Sequence, residues 1–322
     1  MKNKLLITGA AGFIGSNLSE YFCDKGYDVV ALDNLSTGFY KNIEHLESYS
    51  NFKFIEGDIR DQATCRAAVN GVDYVLHQAA LGSVPRSLKD PINSNEVNVS
   101  GFLNMLVACK EAGVKKMIYA ASSSTYGDSK ELPKVESKIG RPLSPYAVTK
   151  FVNELYADVF YKSYGFNSIG LRYFNVFGRK QSPEGAYAAV IPLFTKKLMN
   201  LESPVINGDG SFSRDFTYID NVIQANEKAM LSTDPRSENN VFNVACGDQT
   251  NLNSLVKLLR KALIKYNESI ADVEIIYGPH RDGDIPHSLA SIKKAQEILR
   301  YEPLFHIEEG LNLAVDWYWE NL

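Results

Sequence analysis

Thr-Gly-Ala-Ala-Gly-Phe-Ile-Gly, residues 8–15, decides the fold of this chain. The stretch follows a short apolar run, Leu5 to Ile7, and leads into a helical pattern that extends from Phe13 to Lys25. A second apolar run, Val29 to Leu32, comes shortly afterwards. Short apolar runs on both sides of a helical pattern predict a strand–helix–strand unit with a glycine-rich turn at its first junction.

The glycines of this turn suit the binding of a dinucleotide. Gly9, Gly12 and Gly15 permit a tight turn, the close approach of a pyrophosphate, and close packing of helix on strand. At the end of the second predicted strand, Asp33 lies where a carboxylate can accept hydrogen bonds from an adenosine ribose and repel a 2′-phosphate. These features favour NAD over NADP as the ligand. The alternative is that the glycines serve only a tight turn and that Asp33 is an ordinary turn residue.

The same alternation continues along the chain. Further strands are predicted at Phe52 to Glu56, Tyr74 to His77, Met117 to Ala121 and Ser168 to Arg172, with helices at Ala63 to Val69, Ile92 to Ala112 and Pro145 to Tyr164. This pattern is typical of the α/β class, here a Rossmann-type doubly wound parallel sheet. After about Gly178 it becomes irregular, with helices predicted at Ala186 to Asn200, Leu252 to Tyr266 and Ile307 to Tyr318.

The change of pattern predicts two parts. Residues 1–178 are expected to form the dinucleotide-binding domain, with a return of the chain near residues 216–246, where Val241 to Val244 resembles a strand. Residues 179–322 are expected to form mainly a smaller α/β lobe that binds the substrate.

The composition is that of a soluble protein that acts on small molecules. Of 322 residues, 45% are hydrophobic and 22% charged, and the net charge of -4 favours neither a nucleic-acid nor a membrane partner. Because no membrane-length apolar run and no cleavable signal are present, a cytoplasmic location is expected. The four cysteines lie far apart, which predicts reduced packing residues and no metal site.

A tyrosine and a lysine four residues apart, Tyr146 and Lys150, are the candidate acid–base pair. The spacing alone is weak, because Tyr-x-x-x-Lys also occurs from Tyr21, from Tyr49 and from Tyr126. Only the pair at 146–150 follows Ser-Pro, which favours a helix start, so that both side chains lie on one helix face. A nearby ammonium is then expected to lower the pKa of the tyrosine from about 10.

Together these motifs resemble the extended short-chain dehydrogenase/reductase family, and within it the nucleotide-sugar epimerases. The resemblance is carried by Gly9 to Gly15, Asp33, Asp58-Ile59, His77 to Ala80, Asn98-Val99, Ser122 to Ser124, Tyr146 to Lys150, Arg172 to Gly178, Asn207 to Gly210, Arg214 to Phe216, Arg281 and Gly283-Asp284. Two further stretches, Gly82 to Ser87 and Gly185 to Pro192, are similar to bacterial UDP-N-acetylglucosamine 4-epimerases that supply polysaccharide synthesis.

The resemblance implies an NAD-dependent isomerase that oxidises the sugar at C4, lets the 4-keto sugar turn, and reduces it on the opposite face. Tyr146 is then the base, Lys150 holds the nicotinamide ribose, and Ser122 hydrogen-bonds the 4-oxygen. Family members that dehydrate or decarboxylate usually carry an acidic residue just after this serine. Ser123, Ser124 and Thr125 follow it here, which favours 4-epimerisation.

The family's cofactor contacts carry over to matching positions of this chain. They are Gly9, Gly12, Phe13, Ile14, Gly15, Asp33, Asn34, Asp58, Ile59, Ala79, Asn98, Tyr146, Lys150 and Tyr173. Asp58 is expected near the adenine, with an ordinary loop carboxylate as the alternative.

The same resemblance implies a clamp for UDP and a pocket for the sugar. Arg214, Arg281, Asn175 and Asp284 form the clamp, Asn207 lies near the uracil, and Arg86 on the sugar side. Ser288 stands where glucose-restricted epimerases have a large tyrosine, so it leaves room for an N-acetyl group. Other residues expected in this pocket are Gly82, Ser83, Ser122, Ser123 and Ala189.

Three alternatives stay open. The substrate is UDP-glucose or UDP-glucuronic acid in place of UDP-N-acetylglucosamine, or the chain is an NAD-binding regulator without catalysis.

The helix from Pro145 carries apolar residues on more than one side, which predicts a homodimer, with a monomer as the alternative.

Overall fold

The computed structural model describes residues 3–184, 189–279 and 285–322. Within these ranges the strands are β1 Lys4–Thr8, β2 Asp28–Asp33, β3 Phe52–Glu56, β4 Tyr74–His77, β5 Lys116–Ser122, β6 Ser168–Tyr173, β7 Val176–Phe177, β8 Val205–Asn207, β9 Ser213–Arg214, β10 Thr217–Tyr218, β11 Asn240–Val244, β12 Thr250–Asn251 and β13 Ile276–Gly278. Every strand predicted from the sequence is present, with ends displaced by at most a residue.

The helices follow in the same numbering. They are α1 Phe13–Asp24, α2 Gln62–Ala68, α3 Val84–Lys89, α4 Pro91–Asn95, α5 Phe102–Glu111, α6 Pro145–Tyr164, α7 Val190–Met199, α8 Ile219–Leu231, α9 Leu252–Leu263, α10 Lys293–Leu299 and α11 Ile307–Asn321. Short 3₁₀ turns lie at Tyr40–Asn42, Glu44–Ser48, Ser123–Tyr126, Pro235–Ser237 and Glu268–Asp272.

A seven-stranded sheet in the order β11-β6-β5-β4-β1-β2-β3 forms the centre of the molecule, and all its neighbouring strands are parallel. The order reverses between β1 and β4, so a crevice opens at the carboxyl ends of these two strands. The Rossmann-type doubly wound fold expected from the sequence is confirmed. The strand predicted at 241–244 joins this sheet beside β6.

Helices cover both faces of the sheet. Leu5 and Ile7 of β1 pack in the cluster that contains residues of α1 and α8, while Leu6 between them packs with residues of α2, α5 and α6. Strands buried on both faces are continuous apolar runs, which explains why the sequence shows runs rather than strict alternation. All four cysteines are buried and unpaired, as predicted.

Two helix predictions need correction, and three helices were missed. The segment predicted as one helix from Ile92 to Ala112 is interrupted by a π-helical turn, Glu96–Gly101, between α4 and α5. The helix predicted from Ala186 begins at Val190, and residues 185–188 lie outside the described part. Helices α3, α8 and α10 were missed, because α3 and α10 are short and α8 carries several polar residues that are buried.

Several elements from the second half of the chain lie outside the seven-stranded sheet. Strands β8 and β13 pair in parallel, and α7, α9 and α11 pack against one another. The division at residue 178 remains a prediction. None of the helices in the described ranges combines the length and the apolar character needed to cross a membrane.

Candidate active site

The turn between β1 and α1 has the shape that a pyrophosphate requires. Gly9 has φ +66°, in the left-handed region, and a Cβ atom at Gly15 would lie 2.0 Å from the Gly9 carbonyl oxygen. Gly12 is the N-cap of α1, where no side chain caps the helix and no acidic residue occupies the first turn. The helix therefore presents backbone N–H groups and a positive dipole end to a phosphate, and the residues present fit NAD.

A cleft of about 400 Å³ runs from this turn across the carboxyl ends of the central strands. The predicted residues that line it are Gly9, Gly12, Phe13, Ile14, Gly15, Asp33, Asn34, Asp58, Ile59, Ala79, Gly82, Ser122, Tyr146, Lys150, Tyr173 and Asn175. The structure thus brings together all but one of the predicted cofactor residues and all three catalytic candidates. Lining residues that were not predicted are Leu32, Ser36, Thr37, Gly57, Gln78, Ala80, Leu81, Val97, Ala120, Ala121 and Val176.

Asp33 lies beside the glycine turn at one end of the cleft. Its carboxylate is 8% exposed and accepts hydrogen bonds from the backbone N–H groups of Ala11, at 2.9 Å, and Leu35, at 2.8 Å. Burial raises the pKa of this carboxyl above its usual value, while the backbone donors act in the opposite direction. A ribose hydroxyl that binds here would share the carboxylate oxygens with these backbone donors.

Asp58 belongs to the same end of the cleft. It accepts a hydrogen bond from the Asn34 side chain at 2.9 Å and pairs with Arg60 at 2.7 Å. The Arg60 guanidinium lowers the pKa of Asp58 to about 2, so this carboxylate is charged at neutral pH.

Asn98 is the predicted cofactor residue that does not line the cleft. It lies in the π-helical turn, is 1% exposed, and holds Leu81 through two hydrogen bonds, accepting from the Leu81 N–H at 2.7 Å and donating to the Leu81 carbonyl at 3.1 Å. Its amide also donates to Thr149 on α6 at 3.2 Å. Asn98 therefore fixes a wall of the cleft, and its direct contact with the cofactor remains a prediction.

The catalytic candidates meet at the other end. Helix α6 begins where the sequence indicated, with the Ser144 hydroxyl accepting the Ala147 N–H at 3.1 Å and Pro145 in the first position. The Lys150 ammonium lies 5.9 Å from the centre of the Tyr146 ring. The Ser122 hydroxyl accepts hydrogen bonds from the Ser124 N–H and hydroxyl, which leaves its own proton for Tyr146.

The pKa values of this pair differ from the expectation. Burial raises the pKa of the Tyr146 phenol, and the hydrogen bond with Ser122 lowers it by a smaller amount. Lys150 instead donates to the Ala120 carbonyl at 2.8 Å, and its own burial lowers its pKa to about 8. The predicted lowering of the Tyr146 pKa by Lys150 is thus not seen, because burial of the phenol is the largest influence and only the hydrogen bond with Ser122 opposes it.

Ser87 supports the first turn of α6, a role that the sequence did not assign to it. Its buried hydroxyl accepts the Tyr146 N–H at 3.0 Å and donates to the Val84 carbonyl at 2.7 Å. This N–H is one of the unpaired donors of a helix start, so Ser87 ties α3 to the first turn of α6.

The substrate candidates that do not line the cleft lie in several parts of the chain. Ser83 caps α3 and accepts the Arg86 N–H at 3.4 Å, while Ser123 directly follows Ser122. Arg214 donates to the carbonyls of Ser213 and Pro286, and the Ser288 N–H donates to the Ser213 carbonyl, so 214 and 288 are neighbours. Asn207 ends β8, Ala189 precedes α7, and Arg281 and Asp284 lie outside the described residues.

Comparison with known proteins agrees with this geometry. The model of the NAD-dependent epimerase/dehydratase family matches residues 5–245. The chain is 34% identical to a putative UDP-glucose 4-epimerase of Methanocaldococcus jannaschii, over 98% of this chain and 99% of the relative.

Two solved structures have the same fold over nearly their whole length. One is a UDP-N-acetylglucosamine 4-epimerase from Methanobrevibacter ruminantium in complex with UDP-N-acetylmuramic acid, with 38% identity, a TM-score of 0.92 and 100% of both chains covered. The other is a UDP-glucuronic acid 4-epimerase from Bacillus cereus in complex with UDP-glucuronic acid and NAD, with 30% identity, a TM-score of 0.86, and 98% of this chain and 99% of the other covered. The chain belongs to the NAD-dependent epimerase/dehydratase family, and its cofactor is NAD.

Proposed function

We propose that this protein is a UDP-sugar 4-epimerase. The observation that carries the proposal is a single cleft with a pyrophosphate-type glycine turn at one end and Ser122, Tyr146 and Lys150 at the other. An NAD-binding regulator would have no physical need for these three side chains beside the cofactor cleft.

The chain's own residues have distinct tasks in this proposal. Tyr146 takes the proton of the sugar 4-hydroxyl and gives a proton back when the sugar is reduced. Ser122 hydrogen-bonds Tyr146 and orients the 4-oxygen, and the buried Lys150, with its ammonium 5.9 Å from the centre of the Tyr146 ring, holds the nicotinamide ribose. The glycine turn and Asp33 would hold NAD, and the bound cofactor would supply reversible hydride transfer at C4 of the sugar.

Epimerisation needs one acid–base pair, whereas dehydration needs a second acid or base. The segment after Ser122 forms a 3₁₀ turn, Ser123–Tyr126, that carries hydroxyl groups and no carboxylate. The arrangement of this turn supports epimerisation over elimination.

UDP-N-acetylglucosamine is the substrate that we propose within this class. Ser288 is a small side chain beside Arg214, on an extended segment that pairs with β9. The relative at 38% identity is a UDP-N-acetylglucosamine 4-epimerase, while other relatives are UDP-glucose and UDP-glucuronate 4-epimerases, so these two sugar nucleotides are the competing candidates.

The direct experiment is incubation of the purified protein and NAD separately with UDP-N-acetylglucosamine, UDP-glucose and UDP-glucuronic acid, with proton NMR of the C4 epimers. Preferred formation of UDP-N-acetylgalactosamine supports the full proposal. Conversion of another sugar alone overturns the substrate assignment and leaves the reaction intact. If none of the three is converted, the reaction itself is wrong.

Substitution of Ser288 tests the size argument. Ser288→Tyr is expected to lower kcat/KM for UDP-N-acetylglucosamine by roughly a hundredfold and to change that for UDP-glucose by less than about threefold, because only the first sugar carries a bulky group at C2. The control Ser288→Ala should keep both activities. Equal loss of both activities in Ser288→Tyr would refute the argument.

We also propose that two copies associate through one face of α6. Val148, Leu155 and Val159 are 47%, 49% and 51% exposed and share this face at helical spacing. Leu88 and Ile92, at 63% and 72% exposed, extend the apolar surface onto α3 and α4, which pack beside α6. A contiguous exposed apolar surface of this kind favours a second copy over solvent.

Charge on that face tests the association. The double variant Leu155→Glu with Val159→Glu is expected to raise the dimer dissociation constant by roughly a hundredfold. Both copies contribute the same face to a two-fold interface, so the interface would bury four carboxylates. Sedimentation velocity measures the change. Leu313→Glu, at an exposed apolar position on α11, is the matched control and should leave the dimer intact. An unchanged dissociation constant in the double variant would show that another surface is used.

A further inference from the structure

Asp215 is a completely buried carboxylate that binds two segments distant from it in the chain. It lies between β9 and β10 and is 0% exposed. Its Oδ1 atom accepts the Cys246 N–H at 2.9 Å, and its Oδ2 atom accepts the N–H groups of Gly247 at 3.1 Å and Ala290 at 3.2 Å. Burial raises the pKa of this carboxyl to about 7, while the three N–H groups act in the opposite direction. A buried carboxyl is costly, and these three hydrogen bonds offset the cost.

The main-chain carbonyl of Asp215 has a different partner, which lines the cleft. It accepts the Asn175 side-chain amide at 3.0 Å. Asn175 lies between β6 and β7 with φ +35°, in the left-handed region, so its surroundings must hold it in this conformation. The Asn175 carbonyl in turn accepts the Thr217 N–H at 3.3 Å. The chain around Asp215 is therefore the support of Asn175.

The Asp215 carboxylate accepts a hydrogen bond that its own carbonyl would otherwise accept. A segment that contains Ser288 runs parallel to β9, and the Ser288 N–H donates to the Ser213 carbonyl at 3.1 Å. In a parallel ladder the next hydrogen bond, two residues further on, runs from the Ala290 N–H to the carbonyl of residue 215. Because the carboxylate accepts this N–H, the carbonyl remains for Asn175.

The segments that meet at Asp215 carry three residues expected to bind the substrate. Asn175 lines the cleft, Arg214 directly precedes Asp215, and Ser288 lies two residues before Ala290. The glycine turn that suits the pyrophosphate of NAD belongs to another part of the fold, between β1 and α1. A change at Asp215 should therefore affect the two ligands differently.

We propose that Asp215 is a positioning residue for the sugar nucleotide. Its carboxylate fixes the segment that contains Ser288, and its carbonyl, left available by the carboxylate, fixes Asn175 in the cleft wall. This inference rests on the proposed function, because the ligand that it concerns is the UDP-sugar. Loss of the carboxylate weakens the binding of UDP and its sugars and leaves the binding of NAD intact.

Asp215→Asn tests the proposal by one titration for each ligand. Both carboxylate oxygens accept N–H groups, so neither orientation of an asparagine amide can satisfy all three donors. Calorimetry is expected to show UDP bound about thirtyfold more weakly, and NAD within about threefold of the wild-type affinity. With UDP-N-acetylglucosamine, KM should rise and kcat should change little, because Ser122, Tyr146 and Lys150 are untouched.

Lys116→Met is the matched control. Lys116 is also a buried charged residue with three hydrogen bonds to the backbone, which it donates to the carbonyls of Ala229, Met230 and Ser232. It begins β5, whereas the cleft lies at the carboxyl end of that strand. This variant should lower the melting temperature and keep both affinities. Equal weakening of UDP binding in Lys116→Met and Asp215→Asn would show a general loss of stability and overturn the proposal.

Hydrogen exchange of the wild-type protein tests the proposal without a variant. If opening of the Asp215 contacts weakens UDP binding, then UDP must suppress that opening by thermodynamic linkage. Saturating UDP should slow exchange in a peptide that contains Cys246 and Gly247 by about threefold or more, although neither residue lines the cleft.

The outcomes separate this inference from the proposed function. Unchanged exchange in that peptide, or wild-type affinity for UDP in Asp215→Asn, overturns the role of Asp215 and leaves the proposed function intact. If the wild-type protein does not bind UDP, the proposed function and this inference are both wrong. If Asp215→Asn does not fold, the exchange experiment decides the matter.

Discussion

Tyr146→Phe is expected to lower kcat by about 10³-fold, a loss typical of removing a general acid–base group. The substitution removes one hydroxyl and leaves the ring, the helix cap at Ser144 and the hydrogen bond between Lys150 and the Ala120 carbonyl in place. The affinity for NAD should therefore stay within about threefold of the wild-type value. The measurements are kcat on the sugar nucleotide by NMR and NAD binding by calorimetry.

Tyr161→Phe is the control for this prediction. Tyr161 lies on the same helix and donates to Glu238 at 3.0 Å, remote from the cleft, so its loss should leave kcat unchanged. If Tyr146→Phe retained more than a tenth of the wild-type kcat, another group would have to be the base.

Gly15→Ala is expected to raise the dissociation constant of NAD by more than about a hundredfold. The added methyl group would lie 2.0 Å from the Gly9 carbonyl oxygen and 2.9 Å from the Ala10 Cα atom. Both contacts are with backbone, so the glycine turn itself must move, and the N–H groups at the start of α1 no longer converge on a pyrophosphate. Calorimetric titration with NAD measures the loss.

Gly82→Ala provides the contrast within the same cleft, because no atom lies within 4 Å of a Cβ added at Gly82. That variant should bind NAD with an affinity close to that of the wild type. Wild-type affinity in Gly15→Ala would mean that the turn is not where the pyrophosphate binds.

The parts of the site that could be predicted are those that depend on neighbours in sequence. The glycine turn, Asp33 and the start of α6 at Ser144 each have a local cause, such as a left-handed φ, a strand end or a helix cap. Because these causes act within a few residues, a short sequence motif is enough to predict them.

The parts that were missed depend on partners far away in the chain. From the sequence, Asn226 would be expected to be exposed, because it is polar. In the structure it is completely buried, and its hydrogen-bond partners are Gln78 and Tyr173, which are distant in the chain. The π-helical turn at Asn98 inserts one residue into a run whose periodicity looks unbroken. The pKa of Tyr146 was mispredicted for a related reason, since spacing on a helix shows that Lys150 is near and does not show how deeply the phenol is buried.

Strand β11 has a consequence for synthesis on the ribosome. It is hydrogen-bonded to β6, although 66 residues separate the end of β6 at Tyr173 from the start of β11 at Asn240. Until residue 244 has left the exit tunnel, β6 is an uncovered edge whose N–H and C=O groups can pair with another chain. A nascent chain that stops between these strands should therefore aggregate rather than form a small stable NAD-binding protein. The cleft, which Tyr173 at the end of β6 lines, consequently matures late in translation.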